Sequence, residues 1–221
     1  MTATVNLPNA ITTFRVLLAP VVAILLLQPS ASSRLLGGFV FVVAAVSDLV
    51  DGAIARHRGQ VTDFGQLVDP IADKLLLVAT LVPFWWLTWR HPGLGGIPLF
   101  GGIGLWVLAV FFGREILITW LRTRAARRGV VVPARTIGKR KALAQSVFSG
   151  SMIVWLAFRT EAIERGWSGG LFRFWTWLNG WFTTVSLIVA LTLTVVSLVV
   201  YLIAFRTLPG DGTARGPGSG T

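Results

Sequence analysis

Six apolar runs dominate the chain, at residues 10–27, 36–55, 71–87, 98–121, 143–158 and 181–205. A helix of about 20 apolar residues crosses the hydrocarbon core of a bilayer. Runs near that length predict an all-α integral membrane protein with about six transmembrane helices. Composition agrees: 54% of residues are hydrophobic and 13% are charged, against roughly 25% charged in soluble chains. An ordinary soluble domain is excluded, and 221 residues leave no room for a large separate one. Residues 1–208 are therefore read as a single membrane-embedded domain. Residues 209–221 are Gly-rich and are read as a disordered cytoplasmic tail. Pro70 suits the first turn of the third helix.

The formal net charge of +11 would suggest nucleic acid in a soluble protein. In a membrane protein it reflects basic cytoplasmic loops and anionic ligands, so no nucleic-acid partner is expected. With the N-terminus in the cytoplasm, fifteen Lys and Arg fall on the cytoplasmic side and five on the other. The five are Arg34, Arg90, Arg159, Arg165 and Arg173. This positive-inside bias predicts a multi-pass protein of the inner (plasma) membrane with both termini cytoplasmic. Trp85, Trp86, Trp89, Trp167, Trp175, Trp177 and Trp181 then gather at the outer interface. Residues 159–180 read as an extracytoplasmic loop, partly an interfacial helix. Residues 1–9 carry no Lys or Arg, so the first run reads as a retained helix and not a signal peptide. The chain has no Cys, which excludes disulfides and thiolate chemistry.

Of nine acidic residues, five lie between Asp48 and Asp73. Carboxylates near a bilayer are costly and usually functional. Asp48 and Asp51 are three apart at the end of the second run, and Asp69 and Asp73 four apart at the start of the third. Each pair shares a helix face. The short connection allows the two helices to be antiparallel neighbours, with all four carboxylates at one cytoplasmic end. Four bare anions cannot share a pocket without protons or cations. An all-oxygen cluster lacking His and Cys favours Mg²⁺ or Mn²⁺ over zinc. Two such ions suit a diphosphate substrate. Arg56 and Arg58 add cationic charge suited to phosphate, whereas Asp63 reads as a cap or solvated charge.

The pattern Asp48-x₂-Asp51-Gly52-x₂-Ala55-Arg56-x₈-Gly65-x₃-Asp69-x₃-Asp73 resembles the signature of the CDP-alcohol phosphotransferase family. The resemblance implies a six-helix membrane bundle, often dimeric, with a polar cavity open to the cytosol. It implies transfer of a phosphatidyl or related group from a CDP-linked donor to an alcohol, with release of CMP. Asp48, Asp51 and Asp69 match metal-binding positions. Asp73 matches a position that binds the second metal and serves as the catalytic base. Gly52, Arg56 and Thr62 match donor contacts, as do Asn9 to Thr12, including Thr12 itself.

The segment from Asn6 to Thr12 with Arg15, Ser47, the run from Asp69 to Lys74, Gly113-Arg114-Glu115-Ile116, and Gly138-Lys139-x-Lys141-x₃-Gln145 resemble the phosphatidylglycerophosphate synthase branch of that family. Ala142 departs from the Thr usual there. This resemblance implies CDP-diacylglycerol and sn-glycerol 3-phosphate as substrates and phosphatidylglycerophosphate as product. The residues themselves point to an anionic acceptor. Residues 122–141 hold eight basic side chains and no acid, and Arg114 lies inside the fourth run. A membrane-depth Arg faces a cavity or partner. Arg114, Lys139 and Lys141 are thus read as binding a phosphorylated acceptor. Alternatives are relatives that use phosphatidylglycerol or inositol phosphate, and a cation transporter. Ion sites of transporters lie near the midplane, which disfavours the last.

Overall fold

The computed structural model describes residues 7–58, 63–126 and 135–206, and side chains over 12–47, 71–125, 138 and 140–206. Six α-helices account for nearly all of them: α1 Leu7–Leu27, α2 Ala31–Arg58, α3 Asp63–Arg90, α4 Leu105–Ala126, α5 Arg135–Glu164 and α6 Gly170–Arg206. Each grows from one apolar run. Among the described residues, three stretches are long and apolar enough to cross a membrane: Ile71–Arg90, Arg140–Glu164 and Gly170–Arg206. Shorter apolar stretches, Thr12–Leu27 and Ala31–Ser47, belong to α1 and α2. In α4 the apolar sequence is broken by Arg114 and Glu115.

Helix ends depart from the apolar runs. Helix α3 begins at Asp63, so Pro70 is inside it and not in its first turn. An acid at that start suits the positive end of the helix dipole. Helices α5 and α6 reach far into the segment 159–180 read as a loop, leaving only residues 165–169 between them. Here α5 continues because its polar turns are tied down. Arg159 donates through Nε and Nη2 to the Gly93 carbonyl at 3.2 and 2.8 Å. At 37 residues, α6 is about 55 Å long at 1.5 Å per residue, well beyond the hydrocarbon core of ~30 Å.

Helix α1 packs along both α2 and α3, α5 packs on α2 and α6, and α4 packs on α6. Among the described residues α2 and α3 share almost no direct packing; α1 bridges them. The core is one aromatic and aliphatic cluster including Leu26, Leu81, Phe84, Phe111, Phe148, Met152 and Trp155. Phe84 and Phe148 meet edge to face at 6.2 Å between centroids. Helices α2 and α5 come close at Gly38, where a Cβ would lie 2.9 Å from Ile153 Cγ2. Such small residues let backbones approach when lipid supplies no hydrophobic drive.

One end of the bundle is closed by the α3–α4 connection. Trp155 Nε1 donates to the carbonyls of Leu94 and Gly95, each at 3.1 Å. Thr184 Oγ1 donates to the Pro98 carbonyl at 3.0 Å. Gly101 adopts φ 68°, a left-handed conformation that glycine accepts without cost. Arg34, at the start of α2, is only 2% exposed. It donates to the carbonyls of Leu26 and Leu156 and to Thr160 Oγ1. It thereby satisfies a carbonyl in the last turn of α1, where intrahelical partners run out. Trp85, Trp86 and Trp89 form a ring cluster at the same end.

Candidate functional site

The opposite half of the bundle carries the four aspartates and the Arg114–Lys141 group. Helical backbone sets Asp48 and Asp51 about 60° apart on α2 and Asp69 and Asp73 about 40° apart on α3, at roughly 100° per residue. Each pair thus occupies one face, as the spacing predicts. The side chains of Asp48, Asp51 and Asp69 lie outside the described residues, as do those of Asn9, Gly52, Arg56 and Lys139; Thr62 lies outside them altogether. Among the described residues no group of three acidic or His side chains converges on a metal position. The donor set expected from the sequence is four carboxylates and no soft ligand, a chemistry that fits a hard divalent cation.

Asp73 is the described member of that set. Its side chain is 60% exposed and accepts a hydrogen bond from Arg15 Nη1 at 3.1 Å. Arg15 is 3% exposed on α1, three residues beyond Thr12, which is also buried. A guanidinium clamped between helices restricts the rotamers of the carboxylate it holds. The donor segment of α1 and the acidic face of α3 are thereby joined. Beside them, Lys74 Nζ donates to Thr119 Oγ1 on α4 at 3.0 Å.

The residues expected from the sequence to bind the acceptor fall into two groups. Lys141 is buried and pairs with Glu115 Oε1. Arg114 Nη1 meets the same oxygen at 3.0 Å, and Arg114 Nε donates to Ser197 Oγ on α6 at 3.1 Å. The charges acting on Lys141 are Glu115, Arg114 and Asp73. Arg114 and Lys141 are therefore brought together, within electrostatic reach of the predicted base. Lys139 differs. Two residues along a helix turn the direction by about 200°, so Lys139 and Lys141 occupy opposite faces of α5. Gln145, one turn beyond Lys141, is buried, and its Nε2 has no hydrogen-bond partner among the described residues. Sequence reasoning missed three members of this network. Arg15 and Glu115 enter the sequence reading only within segments that resemble the family branch, and Ser197 enters it not at all.

Two polar groups thus lie within electrostatic reach of each other, Arg15 with Asp73 and Lys141 with Glu115, Arg114 and Ser197, drawing on five of the six helices. Ionisable side chains held together within a helical membrane bundle mark a functional site. The chain belongs to the CDP-alcohol phosphatidyltransferase family, whose model matches residues 5–196. The family is one of membrane-embedded phosphatidyltransferases and generally uses a divalent metal. The chain is 34% identical over 161 residues to the CDP-diacylglycerol--glycerol-3-phosphate 3-phosphatidyltransferase of Bacillus subtilis, covering 67% of this chain and 77% of that one. It is 33% identical over 162 residues to the enzyme of the same name from Salmonella choleraesuis, covering 70% and 78%. A Mycobacterium tuberculosis protein named "Probable phosphatidylglycerophosphate synthase" is 33% identical over 152 residues, 67% of this chain. The chain spans 66% of that relative's length.

Proposed function

We propose that this enzyme transfers the phosphatidyl group of CDP-diacylglycerol to sn-glycerol 3-phosphate, giving phosphatidylglycerophosphate and CMP. The observation that carries the acceptor is the convergence of Arg114 and Lys141 on one point, within electrostatic reach of Asp73. Buried cations at membrane depth suit a phosphate-bearing acceptor, and a neutral alcohol would need neither. The names of the relatives point to the same substrate pair.

In this reading Asp48, Asp51, Asp69 and Asp73 hold two divalent ions, Mg²⁺ or Mn²⁺. When bound, these supply charge neutralisation at the diphosphate. Asn9, Thr12, Gly52, Arg56 and Thr62 contact the CDP donor. Asp73, oriented by Arg15, takes the proton from the acceptor hydroxyl. The hydroxyl oxygen then attacks the β-phosphorus, the bond to the bridging oxygen breaks, and CMP leaves. Arg114, Lys141 and Lys139 bind the acceptor phosphate. Residues 1–208 form the catalytic unit and residues 209–221 a cytoplasmic tail. The active site and both termini face the cytoplasm of the inner membrane, and the protein works as a monomer or homodimer among membrane lipids.

The test is purified protein with labelled CDP-diacylglycerol and a panel of acceptors: glycerol 3-phosphate, glycerol, inositol phosphate and phosphatidylglycerol. Product with glycerol 3-phosphate alone is expected. Product with phosphatidylglycerol or inositol phosphate, and none with glycerol 3-phosphate, would reassign the acceptor and leave the Asp chemistry standing.

A further inference from the structure

The chemistry just described leaves one half-buried anion without a task. Glu115 lies on α4 with its side chain 20% exposed, between Arg114 at 10% and Lys141 at 7%. A single oxygen, Oε1, takes a hydrogen bond from each cation. Like-charged groups placed this close and stripped of water repel, and an unpartnered ammonium is costly to bury. Lysine also has a flexible four-carbon stem, so without an anchor its ammonium turns toward the polar surface. Arginine is held from its other side by Ser197; Lys141 has no such second anchor among the described residues. Meeting at one atom, the two cations lie close enough to serve two oxygens of one phosphate. Lys141 offers three N–H donors and Arg114 five, and Glu115 engages one of each.

We propose that Glu115 is the positioning residue of the acceptor subsite: by sharing one carboxylate oxygen between Arg114 and Lys141, it holds both cations toward the acceptor phosphate. This rests on the reading of glycerol 3-phosphate as acceptor. Glu115 touches no substrate itself; it acts through Lys141 above all. The buried Nε2 of Gln145, unpartnered among the described residues and one turn along the same face of α5, marks that face as one prepared for a polar ligand.

The experiment measures steady-state kinetics in lipid nanodiscs for the wild type, Glu115→Gln, Glu115→Asp, Lys141→Ala and the double variant Glu115→Gln/Lys141→Ala. Loss of one charge-assisted hydrogen bond corresponds to about 10- to 150-fold in binding. Glu115→Gln is expected to raise the KM for glycerol 3-phosphate about tenfold or more, with kcat and the KM for CDP-diacylglycerol little changed. Glu115→Asp, one methylene shorter, should fall between wild type and Gln, and it carries the test if the Gln variant does not fold. The double variant should be no worse than Lys141→Ala alone, because Glu115 works through that lysine. An unchanged or lowered acceptor KM in folded Glu115 variants overturns the proposal, as does a fully additive double variant. A wild type that ignores glycerol 3-phosphate refutes the acceptor reading first. If it then uses another phosphate-bearing acceptor, the same variants decide the role of Glu115 against that acceptor; if it uses only a neutral one, both readings fall.

Discussion

Arg15 Nη1 lies 3.1 Å from Asp73 Oδ1 and joins α1 to α3 across 58 residues of sequence. The two ends of this contact differ sharply, since the guanidinium is buried and the carboxylate is largely open. Helix α1 also packs between α2 and α3, the helices that carry the four aspartates. It therefore does more than anchor the chain: it sets the orientation of the acid proposed as base. Asp73→Asn should lower CMP release by ~10²–10⁴-fold, the usual contribution of a general base, while retaining much of the donor binding. A loss below tenfold in folded protein removes Asp73 from that role. Arg15→Gln should cost less, and added to Asp73→Asn it should cost almost nothing more, because the two act as one unit.

Metal dependence follows from the donor chemistry of the aspartates. Chelation should abolish CMP release, and Mg²⁺ or Mn²⁺ should restore it. Asp48→Asn, Asp51→Asn and Asp69→Asn should weaken metal-dependent donor binding as well as turnover, unlike Asp73→Asn. Undiminished turnover in excess chelator would remove the metal from the mechanism.

The two lysines should separate. Lys141 shares the Arg114–Glu115 pair, whereas Lys139 sits on the opposite face of the helical backbone. Lys141→Ala should raise the KM for glycerol 3-phosphate by about 10- to 150-fold with little change for CDP-diacylglycerol. Lys139→Ala should have the smaller effect. Arg56→Ala, placed at the donor, should show the reciprocal pattern. Equal acceptor effects for both lysines would mean that α5 is rearranged when substrate binds.

Arg34 gives a stability prediction remote from the chemistry. Its guanidinium satisfies carbonyls of Leu26 and Leu156 and reaches Thr160. Arg34→Met removes those donors and leaves buried carbonyls unpaired, at a cost of about 1–3 kcal/mol for such a group. Thermal unfolding in detergent should shift down, while kcat per folded molecule stays at the wild-type value. A fall in kcat without a fall in Tm would tie this end of the bundle to catalysis.

The six apolar runs located six helices because lipid enforces long, uninterrupted hydrophobic segments. Their ends were poorly marked for the same reason. Apolarity stops where charges begin, but backbone hydrogen bonding continues through polar turns, so α3 starts at Asp63 and α5 at Arg135. Arg159, Glu161 and Arg165 look like loop residues, yet Arg159 bonds the Gly93 carbonyl and Glu161 pairs with Arg165 one turn on. Within the site, the aspartate pairs are readable because helical period fixes which residues share a face. The contacts of Arg15 with Asp73 and of Glu115 with Lys141 depend on which helices pack together. No local periodicity encodes that, and each residue taken alone resembles a topogenic charge. The pairing of α2 and α3 at their aspartate-bearing ends lies outside the described side chains; among the described residues α1 packs along both helices.

Topology offers the last test, and the chain is suited to it because it contains no Cys. Any introduced thiol is then the sole site of labelling. Six helices and the fifteen-to-five distribution of Lys and Arg predict that both termini are cytoplasmic. The turn at 165–169 between α5 and α6 then lies outside, on the side of the Trp cluster. Reporter fusion at Thr221 should report a cytoplasmic C-terminus. Ser168→Cys should react with a membrane-impermeant maleimide in intact cells, whereas a Cys at Ala126, at the end of α4, should react only after permeabilisation. The network from Arg15 to Ser197 lies in the half of the bundle that this topology turns to the cytosol, where CDP-diacylglycerol headgroups and soluble glycerol 3-phosphate meet. Labelling of Ser168→Cys only after permeabilisation would invert the protein, leave its proposed acceptor site facing away from its acceptor, and remove the physical basis for a cytosolic substrate.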